Sequence, residues 1–168
     1  PLSLTLKEVK ILTKIAKSNK KMIFVDYPFL FSGTINFIKK IINKSTYGKI
    51  LEIESFREQA PIRKDVNVIW DLAPHDLSIL FHITKERPNA VTANGVDHLN
   101  NGLVDVAYLT LHYKSNMIAN FHVNWLSPVK VRKILIGGTK KMIVYDDMEP
   151  SDKIKVYDKG IDVTEPVL

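Results

Sequence analysis

The sequence predicts an α+β protein built on a large, mainly antiparallel sheet with helices on one face. Three observations predict it. From residue 90 onward the apolar pattern has a period of two, in runs at Ala90 to Ala93, Leu103 to Tyr113, Met117 to Trp125, Val129 to Ile136, Lys141 to Tyr145 and Ile154 to Tyr157, as half-covered strands require. Before residue 90 the apolar residues mostly recur at the three-and-four interval of helices. Helices first and strands afterwards is the order that puts helices on one side of an antiparallel sheet. The 168 residues suffice for one domain with a core, or for a domain plus a fragment of another.

Thr5 and Glu8 form a capping box, with Leu4 and Val9 as its hydrophobic staple, so a helix starts near Leu6. Val9, Leu12, Ile15 and Ala16 make its buried stripe, and Ser18-Asn19 end it. Met22-Ile23-Phe24-Val25 has the uninterrupted apolar pattern of a strand covered on both faces. Such a strand needs neighbours, which predicts that residues 1 to 33 belong with a domain beginning before Pro1.

Ser32-Gly33 is a turn, and Thr34 is placed to cap a helix running to about Asn43, with Ile35, Ile38, Ile41 and Ile42 apolar. Tyr47-Gly48 breaks it. Lys49 to Arg57 then alternates Leu51, Ile53 and Ser55 against Glu52, Glu54 and Phe56, a half-covered strand. Gln59 to Lys64, with Pro61, reads as loop. A further helix begins at about Trp70 or Pro74 and runs to Thr84, stopped by Lys85-Glu86-Arg87-Pro88. Among the later strands, Lys114-Ser115-Asn116 is a hairpin turn. Gly137-Gly138 reads as another turn, and with a strand after it there is no helix N-terminus for a phosphate.

A hydrophobic fraction of 45% and a charged fraction of 25% are those of a soluble globular chain. No apolar run approaches the roughly 20 residues of a membrane span, and no signal-peptide pattern opens the sequence, so a cytoplasmic location is expected. The absence of cysteine excludes disulfides, thiolate metal sites and a cysteine nucleophile. The net charge of +6 is concentrated early: residues 1 to 50 carry ten Lys against Glu8 and Asp26. The only Arg residues are Arg57, Arg63, Arg87 and Arg132, whereas nucleic-acid readers use Arg forks or aromatics interleaved with the charge. Lys7, Lys10, Lys14 and Lys17 recur at helical spacing and read as a solvated helix face, so neither a nucleic-acid nor a membrane partner is expected.

Asp71 and His75 are the sharpest chemical pair. Four residues apart at the opening of a helix, they lie on one face. Two roles fit: general acid or base work, with the carboxylate favouring the charged imidazole, or a helix-start cap beside a partly buried histidine. Asp76, about 100° further round, reads as a first-turn acid favoured by the helix dipole. His82, His98, His112 and His122 lack metal-ligand spacing, and no metal site is expected. Asn120, His122 and Asn124 line one face of a strand, as a ligand wall, a subunit interface or a solvent face. Neither a Walker loop nor G-x-G-x-x-G occurs.

Pro1-Leu2-Ser3-Leu4-Thr5 leading into a helix, with the stretch ending Val25-Asp26-Tyr27, resembles the segment after the Glu-Lys-Pro motif of the glucose-fructose oxidoreductase/inositol dehydrogenase (Gfo/Idh/MocA) family. Trp70-Asp71-Leu72-Ala73-Pro74-His75 resembles that family's Asp-x-x-x-His motif. Asn124-Trp125-Leu126-Ser127-Pro128, with Arg132 and Gly137-Gly138, resembles its later strands. Phe29-Leu30-Phe31-Ser32 together with the Trp-Asp-Leu-Ala-Pro-His block is similar to the branch found among sugar-nucleotide dehydrogenases.

The resemblance implies an NAD(P)-dependent oxidoreductase transferring a hydride between nicotinamide and a sugar, sugar-nucleotide or cyclitol hydroxyl or ketone. Residues 1–33 would be the helix-plus-strand end of a Rossmann-type dinucleotide-binding domain, and residues 34–168 the substrate and oligomerisation sheet domain. His75 would be the acid/base on the reacting oxygen, with Asp71 orienting substrate or tuning it. Tyr27 would be a pocket wall, and Asn124 and Trp125 would approach the same cleft. The glycine loop and the family's catalytic Lys would precede Pro1, so NAD or NADP is not expected to bind this chain alone and the isolated chain is expected to be inactive. A homo-oligomer through the open sheet face is implied. From another class, a cofactor-free oligomerisation or carbohydrate-binding sheet module fits the same residues.

Overall fold

A computed structural model describes residues 1–160. It contains helices Leu6–Ser18 (α1), Gly33–Ile42 (α2) and Val68–Thr84 (α3), a single 3-10 turn at Pro28–Phe31, and strands Ile50–Glu58 (β1), Ala90–Val96 (β2), Val106–His112 (β3), Ile118–Asn124 (β4), Val131–Gly138 (β5), Met142–Asp146 (β6) and Ile154–Tyr157 (β7). All six period-two runs after residue 90 contain a strand.

The seven strands form one sheet in the order β2-β3-β4-β1-β5-β6-β7. β1 pairs with β4 in parallel and with β5 antiparallel, and every other neighbouring pair is antiparallel. The first strand in sequence is thus central. Alternation put Ile53, Ser55 and Arg57 on the buried face, where they meet Phe121, Val123, Ile134 and Ile136 of the flanking strands. Val68, Leu72, Ala73, Ile79, Leu80 and Ile83 of α3, with Ile35 and Ile38 of α2, close that face into the core. The opposite face presents Glu54, Phe56, Glu58, Tyr108, Asn120 and His122.

The helix that matters most, α3, starts earlier than its apolar period suggests. Asn67 caps it, its side-chain oxygen accepting the Trp70 N–H at 2.9 Å. Pro74 therefore lies inside the helix, where it has no N–H to give the preceding turn. Lys85, in the left-handed region at φ 57°, ends it three residues before Pro88.

Four expectations are corrected. Met22–Val25 is not a strand: a strand needs a neighbour to take its backbone hydrogen bonds, none lies beside it among the described residues, and Met22 and Phe24 are 91% and 66% exposed. α1 forms where the Thr5 cap predicts, with Thr5 Oγ1 accepting from the Glu8 N–H at 3.2 Å, but its apolar stripe is uncovered and Leu12 and Ile15 stand exposed. Ser32, not Thr34, caps α2, because its hydroxyl reaches the Ile35 N–H at 3.1 Å. Gly137 and Gly138 end β5 instead of forming a turn. A Cβ on Gly138 would come within 2.5 Å of the Tyr47 ring, so the glycine admits Tyr47, whose hydroxyl donates to the Ile136 carbonyl at 2.6 Å. The last eight residues of the expected sheet domain lie outside the described residues.

Candidate functional site

The first two turns of α3 carry Asp71 and His75 to a cleft of about 340 Å³, lined also by Leu4, Arg63, Asp65 and Trp70. The two side chains share the cleft but not a hydrogen bond. Asp71 Oδ2 accepts the indole N–H of Trp125 at 3.0 Å, and Oδ1 lies 3.4 Å from Arg63 Nη1. Trp125, just past β4, is 1% exposed and held in turn by its backbone N–H to the Asp105 carbonyl at 3.0 Å.

One turn on, His75 meets Tyr27 and Phe29. The ring centroids lie 6.3 and 6.0 Å away at 85° and 77°, both edge-on, and His75 Nδ1 is buried without a hydrogen-bond partner. Burial first, then the Arg57 charge, pushes the imidazole below its ordinary pKa; Asp76 and Asp71 oppose this, and Arg132 adds to it. The carboxylates do favour the charged imidazole, as expected, but burial and the Arg57 charge outweigh them. Asp71 hydrogen-bonds Trp125 and not His75, and the net effect holds the imidazole below its ordinary pKa.

Behind the imidazole stands a buried ionic group that the sequence reading missed. Arg57 and Asp76 are each 3% exposed. Arg57 Nε donates to Asp76 Oδ2 at 2.9 Å and Nη2 to Oδ1 at 2.5 Å, while Ser55 Oγ donates to Oδ2 at 2.9 Å. Asp76 is thus committed to an ion pair, and its reading as a first-turn acid is corrected: α3 starts at Val68, so Asp71 lies in the first turn and Asp76 in the third, where the dipole's effect has faded. A signal existed: Ser55 and Arg57 continue the face of β1 that Ile53 buries, and polar residues there need a polar partner. The Arg57 guanidinium also lies 4.9 Å from the Phe29 ring centroid, and that of Arg132 5.9 Å.

Of the five residues expected at the site, His75, Asp71, Trp125 and Tyr27 come together. Asn124 does not. It points to the opposite face of the sheet from Trp125, its Oδ1 accepting the Leu126 N–H at 2.7 Å. His122 shares that open face, stacked on Tyr108 at 4.4 Å and 3.5 Å from Glu58. Among the described residues no group of three His, Asp or Glu is arranged to hold a metal, and no helix is long and apolar enough to cross a membrane. Among the described residues no glycine-rich turn opens a helix N-terminus of the kind that takes a dinucleotide's phosphates.

A helix-backed, mainly antiparallel sheet with an Asp and a His presented from one helix defines the class, a one-sided α+β sheet domain. Residues 35–144 match the GFO/IDH/MocA C-terminal domain, and the chain belongs to that family. No curated protein sequence matches it. Its fold is similar to that of UDP-N-acetylglucosamine 3-dehydrogenase GnnA from Acidithiobacillus ferrooxidans, with a TM-score of 0.77 at 19% identity over 98% of this chain and 54% of that one. It is similar as well to an inositol dehydrogenase homolog from Azotobacter vinelandii complexed with NADH and myo-inositol, with a TM-score of 0.81 at 18% identity over 99% of this chain and 50% of that one. An oxidoreductase from Pseudomonas syringae matches with a TM-score of 0.80 at 13% identity over 99% and 50%. The chain spans about half the length of these solved structures.

Proposed function

We propose that this chain supplies the substrate wall of an NAD(P)-dependent oxidoreductase acting on a sugar, sugar-nucleotide or cyclitol hydroxyl or its ketone. The observation that carries the reading is His75: a half-buried imidazole at a cleft, held below its ordinary pKa by burial, one helical turn from a carboxylate fixed by Trp125. A neutral imidazole takes the proton of a hydroxyl being oxidised and returns it to a ketone being reduced. Asp71, with one oxygen on Trp125 and the other toward Arg63, is fixed to accept from a second substrate hydroxyl. Tyr27 forms the wall across from His75.

The nicotinamide would supply the hydride chemistry when bound, while the residues of this chain hold the substrate and move its proton. Residues 1–33 are read as the end of a Rossmann-type domain. The uncovered apolar side chains Leu6, Ile15, Met22 and Phe24 support this, since each would be buried against such a domain. A second copy is the proposed partner of the open face that carries Tyr108, His122 and Asn124. Light scattering tests that assignment, and a chain that is a strict monomer at high concentration would argue against it.

A second reading, a cofactor-free sheet module, is favoured by one observation, the lack of a dinucleotide cradle among the described residues. Titration of NADH and NADPH against this chain and against the protein extended through its nucleotide-binding half separates the two. Binding by the extended protein, with reduction of NAD or NADP in the presence of a sugar panel, supports the oxidoreductase. An extended protein that binds neither dinucleotide rules it out.

A further inference from the structure

We infer that Phe29 and Arg132 are positioning residues for His75, which set the plane of its imidazole and keep it an unprotonated acceptor. The inference rests on the reading of His75 as the acid/base. Phe29, in the 3-10 turn, has the Arg57 guanidinium 4.9 Å from its ring centroid, that of Arg132 at 5.9 Å, and the imidazole edge-on at 6.0 Å. A protonated His75 would be a third cation around one ring. The carboxylates that could offset it are already engaged, Asp76 by the Arg57 fork and Ser55, Asp71 by Trp125 and Arg63.

The groups facing the imidazole from each side are few. β1 brings Arg57 and β5 brings Arg132, α3 itself carries Asp71 and Asp76, and the segment before α2 brings Tyr27 and Phe29. β6 and the turn after it place Tyr145 and Asp147 beyond Arg132, with Asp147 Oδ2 3.5 Å from Arg132 Nη1. Arg57 is immobilised by its buried partner, whereas the Arg132 side chain is 23% exposed and donates chiefly to Gln59 Oε1 at 2.7 Å. Its charge is therefore removable without breaking a buried pair. Phe29 contributes in a second way, since its edge contact fixes the ring plane where Nδ1 has no hydrogen bond to do so.

The test is a pH titration of the histidine ring signals by NMR on this chain, in wild type, Arg132→Gln, Arg132→Lys and Phe29→Leu. The wild-type His75 midpoint is expected below the ordinary value of about 6.5. Arg132→Gln should move it upward by removing a cation, Arg132→Lys should restore it, and Phe29→Leu should move it upward by admitting water. The signals of His82, His98, His112 and His122 report in the same spectra whether each variant is folded. A folded Arg132→Gln variant with an unchanged His75 midpoint overturns the inference, and so does an unchanged midpoint in a folded Phe29→Leu variant. Arg132→Gln decides by itself should Phe29→Leu not fold. The titration needs no turnover, so its failure is distinguishable from a failure of the oxidoreductase reading.

Discussion

Trp125 donates its indole N–H to Asp71 at 3.0 Å across 54 residues of sequence, tying the end of β4 to the first turn of α3. The bond fixes a carboxylate that would otherwise turn toward His75 or solvent. Trp125→Phe keeps most of the buried ring and deletes the donor. A hydrogen bond to a charged group is worth about 1.5–3 kcal/mol, so urea denaturation should show a loss of about that size. In an Asp71→Asn background the loss should shrink. Equal losses in both backgrounds would mean the indole acts only through its volume.

Arg57 and Asp76 form the one ion pair among the described residues in which both side chains are almost wholly buried. Removing one partner strands the other, so Arg57→Ala and Asp76→Ala should each cost about 3–5 kcal/mol in chemical denaturation. Replacing both, as Arg57→Met with Asp76→Leu, should recover much of that. The double variant should also shift the His75 titration, because it removes the two charges that act most strongly on the imidazole.

Stability should depend on pH in two separate windows. His75 has a folded pKa below its unfolded value, so the unfolded chain binds the proton more readily. Stability should therefore rise with pH from the folded midpoint up to about 6.5 and be flat above, as far as this group contributes. His75→Phe should remove that slope. Asp105 acts in the same sense in a more acid window: burial pushes its carboxyl up, but bonds from His98 Nδ1 and the His98 and Leu99 N–H groups outweigh it and hold it below the usual range. Its contribution is present above the unfolded pKa and is lost as pH falls through the folded one. Asp105→Asn should flatten this acid limb in a pH series of thermal melts.

Much of this architecture is legible in the sequence because it is written in local periods. Alternation places all seven strands, and the Thr5 cap and the Lys85 to Pro88 stop set helix ends. What local pattern does not carry is pairing. The parallel match of Glu52–Glu58 to Ile118–Asn124 puts the first strand in the middle of the sheet, and nothing within β1 announces it. Met22–Val25 reads as strand for the same reason, since an apolar run is silent about whether a neighbour exists. At the site, the spacing of Asp71 and His75 is visible, but the partners that decide their chemistry are Trp125, Arg57 and Phe29, 54, 18 and 46 residues away from the residue each one acts on. Asn124 follows Val123 and precedes Trp125, so strand alternation alone would have placed it on the opposite face from both.

In the proposed function, His75 moves a proton and does not merely fill space. The most direct measurement is the kinetics of His75→Ala in a protein that joins this chain to a dinucleotide-binding domain, with stability measured on the same sample. A fall in kcat/KM on the order of 10²–10⁴-fold is expected, with unfolding free energy changed by about 1 kcal/mol or less. A variant that keeps its turnover, or one that loses activity only in proportion to its folded fraction, would contradict that role.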